Sequence, residues 1–286
     1  MRGRALGWGI VLLCVGAGRA AAQGDCFPPS DSHEAQLFGH FSVPLAFTQS
    51  GPPEAMRPGS FSIGLEATFL PHANRTMSTP TICRPGKGPE HTNLLPGMLR
   101  PRLAVGLPAG FSAEVAWIPP IRISGVRANL VGLALSRMMP LGSAYTLGLR
   151  AEATLGEIRA PITCDTPALN DPNSECFDGT RSDDSYHPNI LGLEATLGRR
   201  VANGRVGLYA GVGYNRLMPR FRVNFTNQFG DTDRRRVEVD LDRLALSAGA
   251  GWKLSPGMEL AGELYAMPAD VVTGRVVIRR LLGRAP

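Results

Sequence analysis

Phe61-Ser62-Ile63-Gly64-Leu65-Glu66-Ala67-Thr68-Phe69 carries an apolar side chain at every odd position. The even positions hold Ser, Gly, Glu and Thr. A β-strand sends successive side chains to opposite faces, so this stretch has one greasy face and one polar face. The same period returns over 99–107, 111–117, 131–136, 145–155, 191–198, 206–215 and 244–252. It is weaker over 258–266 and 272–282. That makes about ten strands, within a range of eight to twelve.

The connections between these strands alternate in length. Short turns fall at Pro108-Ala109-Gly110, around Pro140-Leu141-Gly142, at Val201-Ala202-Asn203-Gly204 and at Ser255-Pro256-Gly257. These are the residues that tight turns require. Longer links occupy 71–97, 119–127, 157–188, 218–238 and 267–271. Short turns on one side and long loops on the other are how transmembrane β-barrels are built.

A soluble sandwich also alternates, and two details favour the membrane. The first is a set of aromatics at strand ends, all on the apolar parity. Phe61, Phe111, Tyr145 and Trp252 stand at the turn end, and Phe69, Trp117 and Tyr214 at the loop end. Two aromatic girdles mark the levels where lipid meets water. Phe61 and Phe69 stand roughly 26 Å apart at about 3.3 Å per residue, which strand tilt brings close to an apolar band of about 25 Å. The second detail is charge at mid-strand on the other face, from Glu66, Arg100, Arg102, Glu114, Arg150, Glu152 and Glu194, interleaved with glycines. Side chains fill the interior of a small closed barrel. An Arg/Glu network would plug it, and a selective polar channel is the alternative.

The ends set the compartment. Residues 1–22 read as a cleaved signal peptide: Arg2 and Arg4, then the apolar run Ala5–Val15, then Ala20-Ala21-Ala22. The run is too short to span a bilayer as a helix. Losing Arg2, Arg4 and Arg19 with the signal takes the formal charge from +6 to +3. The remaining arginines are scattered, and Arg234-Arg235-Arg236 sits among Asp231, Asp233, Glu238 and Asp240. That is a mixed-charge surface and argues against nucleic-acid binding. Cys26, Cys83, Cys164 and Cys176 survive processing. An even count in an exported chain suggests disulfides. Cys164 and Cys176 share a loop and form the obvious pair, which leaves Cys26 for Cys83.

Signal, ten alternating strands, girdles and turn/loop asymmetry together resemble small bacterial outer-membrane β-barrel proteins of the outer-membrane-protein-A-like and opacity-type class. The resemblance covers roughly residues 58–282 and is one of architecture. It implies an all-β, antiparallel, up-and-down transmembrane barrel in the bacterial outer membrane. It also implies outer-membrane lipid and the outer-membrane assembly machinery as partners, and a structural or interaction role. The chain departs from the class at its end, where 276–286 carries no terminal aromatic. Residues 283–286 read as a tail. Residues 23–57 are open between a periplasmic lead-in, a strand packed inside or alongside the barrel, and an extra strand. Phe41, Val43, Leu45 and Phe47 alternate there, but Pro44 weakens a strand reading.

Motifs for chemistry are sparse. His33-Glu34 and His40 do not make an HExxH pair, and Gly207, Gly211 and Gly213 lie on one strand with no following helix. No cofactor or metal site is expected. Loop 164–187 holds Asp165, Asp171, Asp178, Asp183, Asp184 and His187, without the spacing of a calcium loop. Asp183, Asp184 and His187, with Asp231 and Asp233, are the only candidates for an omptin-like barrel-mouth hydrolase, and the expectation is that the chain is not an enzyme. Phe221, Val223 and Phe225, then Val237, Val239 and Leu241, read as a hairpin extending beyond the membrane.

Overall fold

The computed structural model describes residues 24–282; the expected signal peptide and tail 283–286 lie outside them. Ten long strands follow one another around a ring: β1 (Phe61–Phe69), β2 (Gly97–Gly106), β3 (Phe111–Ile118), β4 (Val126–Leu141) and β5 (Tyr145–Ala160). The second half is β6 (Ile190–Val201), β7 (Val206–Leu217), β8 (Leu241–Ser255), β9 (Met258–Met267) and β10 (Val271–Leu282). Each strand pairs antiparallel with the next. The last pairs with the first, from Phe61 opposite Leu282 to Thr68 opposite Arg275, and this closes the cylinder. Closure removes sheet edges, which no lipid could satisfy.

The short connections after β2, β4, β6 and β8 lie at one end of the barrel; at the other end only the turn over 268–270, between β9 and β10, is as short. The 201–206 turn places Ala202, Asn203 and Gly204 at positive φ, the geometry a tight hairpin needs. At the loop end the wall continues upward as a short sheet. Asp184–His187 pairs with Ile158–Ala160 and with Arg220–Arg222, which pairs in turn with Arg236–Glu238. Cys26 is bonded to Cys83, and Cys164 to Cys176, stapling this crown.

Residues 24–57 add no strand to the wall: they enter at the loop end as a helix and then pass inside the barrel, as the inside-packing alternative allowed, though not as a strand. Residues 33–45 form helix α1 (His33–Leu45), which Ser32 caps by accepting a hydrogen bond from the Ala35 N–H at 3.1 Å. The alternation of 41–47 misleads because the local period is helical: Ala35, Phe38, Ser42 and Leu45 are all buried. Helix α1 sits in the loop-end mouth, where Phe38 packs against Tyr186 and Phe221, and Ser42 and Tyr186 share a hydroxyl–hydroxyl bond of 2.8 Å. From Ala46 the chain runs extended down the lumen to the turn end, where the Gly59 N–H donates to the Gly106 carbonyl. Among the described residues no helix is long and apolar enough to cross a membrane, which says nothing of strands.

Candidate functional site: a strapped lumen beneath an apolar cup

Alternation places two chemistries on the two faces of the wall. Outside are Ile63, Leu65, Leu99, Leu133, Leu149, Leu193, Leu208, Val212, Leu244 and Leu264, all exposed. Such a continuous apolar belt is not sustained by a monomer in water. Phe61, Phe69, Trp117, Tyr145, Tyr214 and Trp252 are exposed on this same face, and Phe111 is half-buried. Several have a polar handle at the strand end. Trp117 donates to Asn129 at 3.0 Å, Tyr214 to Asp242 at 2.5 Å, and Arg137 lies 5.2 Å above Phe111. That combination suits the boundary between hydrocarbon and water.

Inside, the last residues of helix α1, from Val43, and the extended residues 46–54 form a strap that the wall grips. Phe47 is completely buried at the centre. The guanidinium groups of Arg102, Arg150 and Arg100 lie 4.5, 4.7 and 5.6 Å from its ring centroid. These cations also hold the strap's backbone. Arg275 donates to the carbonyl of Val43 (2.9 Å), Arg100 to Leu45 (3.2 Å) and Ala46 (3.3 Å), Arg150 to Phe47 (3.1 Å) and Arg102 to Thr48 (2.8 Å). A strap with no strand partner thus has its buried carbonyls satisfied by side chains, as buried backbone requires.

Carboxylates neutralise the cations. Arg102 pairs with Glu66 and, at 2.7 Å, with Glu114; Arg150 pairs with Glu114 at 2.8 Å and with Glu152 at 3.2 Å. Arg100 stands 3.8 Å from Glu66. Glu194 accepts from Ser247 at 2.9 Å. All seven charged residues named from the sequence therefore point into one lumen. The sequence reading missed Glu263 and Arg275, paired at 3.3 Å and almost wholly buried, and also Glu259, Arg279 and Arg200 nearer the turn end. Glu259, Glu263 and Arg275 share the inward parity of their strands, so the signal was present in the weakly periodic 258–282. Thr48 donates to Glu263 at 2.6 Å, and the Ser50 hydroxyl donates to Glu66 at 3.1 Å, tying the strap to both clusters.

Lumen glycines make room for the strap. A Cβ on Gly132 would lie 2.8 Å from the Phe47 ring. Cβ atoms on Gly198 and Gly207 would lie 2.4 and 2.6 Å from Pro53 and Pro52. Gly211 instead faces Ser247 and Thr196.

Above this waist the lumen becomes apolar. Leu130, Ile190, Leu217, Leu241 and Met267 are buried against helix α1. A cavity of about 760 Å³ opens between the helix, the 70–96 loop and the wall formed by β1 to β5. Its rim is fastened by Glu34, whose carboxylate accepts from the backbone N–H groups of Thr81, Ile82 and Cys83 at 2.9, 2.7 and 3.0 Å. Burial disfavours the charge of Glu34, but these donors outweigh it and hold its carboxyl below the usual range.

The barrel-mouth candidates are dispersed among local tasks. Asp184 accepts from the N–H groups of Ile162, Thr163 and Asn224 and from the Ser182 hydroxyl, while burial still pushes its carboxyl up. Asp183 pairs with Arg159 at 3.3 Å, His187 donates to the Gly156 carbonyl at 3.0 Å, and Asp233 meets Arg84 at 3.3 Å. Asp231 lies exposed in a turn. Asp165 caps Thr166–Leu169, and Asp171 caps its own turn through the Asn173 N–H. Among the described residues no three His, Cys, Asp or Glu side chains converge as a cation site would need.

A closed antiparallel barrel with an apolar exterior and two aromatic levels defines a membrane-spanning β-barrel of the bacterial outer-membrane type. No family profile and no curated protein matches the sequence. Several solved structures resemble the chain. The attachment invasion locus protein Ail of Yersinia pestis does so at 11% identity and a TM-score of 0.32, over 79% of this chain and all of that one. The outer membrane protease OmpT of Escherichia coli matches at 11% identity and 0.38, over 78% of this chain and 92% of that one. The toluene transporter TodX of Pseudomonas putida matches at 11% and 0.35, over 84% and 75%. Likeness at this level is too slight to carry function. It also spreads across barrels of different kinds and singles out neither the outer-membrane-protein-A-like nor the opacity-type class.

Proposed function

We propose that this protein is an exported, non-enzymatic barrel of the bacterial outer membrane whose own N-terminal segment seals its lumen, leaving the disulfide-stapled crown for a structural or interaction role. The observation that supports this is the Phe47 strap, gripped by arginines along residues 43–48 and filling the waist between lumen glycines. A polar solute would have to displace the buried ion pairs around the strap, and removing one partner of such a pair is strongly unfavourable. The reading includes outer-membrane lipid and the assembly machinery as partners. The non-enzymatic part is supported by the dispersal of Asp183, Asp184 and His187 among separate contacts.

The purified mature protein in a planar bilayer tests the sealed lumen. No stable single-channel steps are expected at physiological salt. Reproducible unitary steps from the unmodified protein would favour the narrow channel instead.

A further inference from the structure

The barrel wall is incomplete at one place. Strand β2 pairs with β1 along its whole length, from Phe61 opposite Val105 to Phe69 opposite Gly97. On its other side it pairs with β3 only from Arg102 to Gly106. Gly97–Pro101 therefore has no ladder partner on the β3 side, where that strand ends at Ile118 and is followed by Pro119 and Pro120. Proline contributes no N–H, and three of them border the gap. Phe69, opposite Gly97, marks the loop-end girdle. Trp117, which would stand opposite Pro101 if the ladder continued, belongs to the same girdle, so the gap spans about 13 Å between two aromatics of the loop-end girdle, at the level where the outer leaflet meets water.

The apolar cavity reaches this gap. It is lined from within by Phe41, Ile118, Ala128 and Leu130, yet Leu65 and Leu99, which face outward, line it too. Residues of both faces of the wall therefore border it. Its volume, about 760 Å³, lies within the usual range for small-molecule sites of about 300–1,000 Å³. The charged groups on its border are already occupied by one another. Arg84 is buried and faces Glu175 at 2.5 Å, Asp233 at 3.3 Å and Glu90 at 3.9 Å, so a further anion finds no unmet positive charge. Its Nη1 nevertheless has no hydrogen-bond partner and can serve one neutral acceptor.

We infer that the loop-end cavity binds one neutral, hydrocarbon-rich molecule carrying at most a single acceptor, and exchanges it laterally with the outer leaflet through the gap between β2 and β3. This goes beyond the sealed-lumen reading and does not depend on it, because the cavity lies above the waist. An apolar molecule crossing here meets leucine, isoleucine and proline side chains rather than the ion-paired network. Such a molecule could come from the membrane or from the outer medium, and the gap predicts the membrane.

Methyl laurate, a neutral ester, is the probe, and native mass spectrometry of the full mature chain is the readout. Loaded from lipid nanodiscs, the unmodified protein is expected to carry one ester per barrel. Ala128→Trp fills the cavity and should lose the adduct while keeping heat-modifiable migration. Should that variant fail to close, Phe41→Trp on the helix side makes the same test. Pro101→Cys with Trp117→Cys, the outward pair that would be opposite if the ladder continued, staples the gap once oxidised. It should block loading from nanodiscs, and reduction should restore it. No adduct on the unmodified protein, or an adduct undiminished in closed Ala128→Trp or Phe41→Trp, overturns the site. Unimpaired loading of the oxidised staple overturns the lateral route and points to the outer medium.

Discussion

The waist and the cup of this lumen are built on the same strands, a few residues apart, and behave as two different solvents. On β4, Leu130 faces the cup while Gly132 and Ser136 face the waist. On β5, Ile158 faces the cup while Arg150 and Glu152 face the waist. On β9, Met267 belongs to the apolar cluster and Glu263 to the ionic one. Strand parity decides only that a side chain points inward. What it meets there depends on what the N-terminal segment presents at that height: backbone carbonyls and Phe47 at the waist, the flank of helix α1 in the cup. An extended segment exposes carbonyls that need donors, so the wall opposite supplies arginines. A helix satisfies its own backbone, so the wall opposite can be apolar.

The sharpest way to break the comparison is to remove a waist cation. Arg102→Ala leaves Glu66 and Glu114 buried without a major partner, which costs about 3–5 kcal/mol for such pairs. The temperature at which the barrel loses its folded migration in detergent gels should drop markedly, while methyl laurate binding in the cup at lower temperature should persist. A smaller effect is expected from Gly132→Val, whose side chain meets the Phe47 ring from a Cβ only 2.8 Å away. Overpacking of this kind costs about 1–3 kcal/mol, and here it can be relieved by lifting the strap. Gly132→Val should therefore show intermittent conductance in planar bilayers where the unmodified protein is silent.

The smallest effect concerns the rim. The folded Glu34 carboxyl is held below its ordinary range, so its contribution is complete above that range. It is lost as pH falls through the folded value. Acidification below the ordinary carboxylate range should loosen the loop around Thr81–Cys83, seen as faster amide exchange there. Glu34→Gln should show the faster exchange already at neutral pH and little further change on acidification.

Much of this architecture was legible because period-2 alternation is long and uninterrupted. The run 145–155 alone fixes which of Arg150, Glu152, Leu149 and Leu155 points inward. Ten strands, their turns and the inward parity of Glu66, Arg100, Arg102, Glu114, Arg150, Glu152 and Glu194 follow from that pattern. The strap was not legible. Phe41, Val43 and Leu45 lie in a helix that Ser32 starts, and Phe47 in the extended segment after it, so their alternation is a coincidence. The sequence shows the lumen glycines as space for long side chains, whereas Gly198 and Gly207 accommodate Pro53 and Pro52. Those contacts join residues about 150 positions apart, a pairing that no local pattern encodes. The gap beside Pro101 lies on a strand whose alternation is intact, since periodicity reports faces and not ladder partners.

Disulfide trapping of the strap against the wall tests the account at its root. A Cβ on Gly148 would lie 3.1 Å from that of Pro53, within reach of a bond after slight relaxation. Pro53→Cys with Gly148→Cys, expressed in the outer membrane of intact cells, should form that bond spontaneously, with both thiols protected from maleimide before reduction. Two freely labelled thiols in a barrel that still shows folded migration would place the N-terminal segment elsewhere, and the sealed lumen with it would fall.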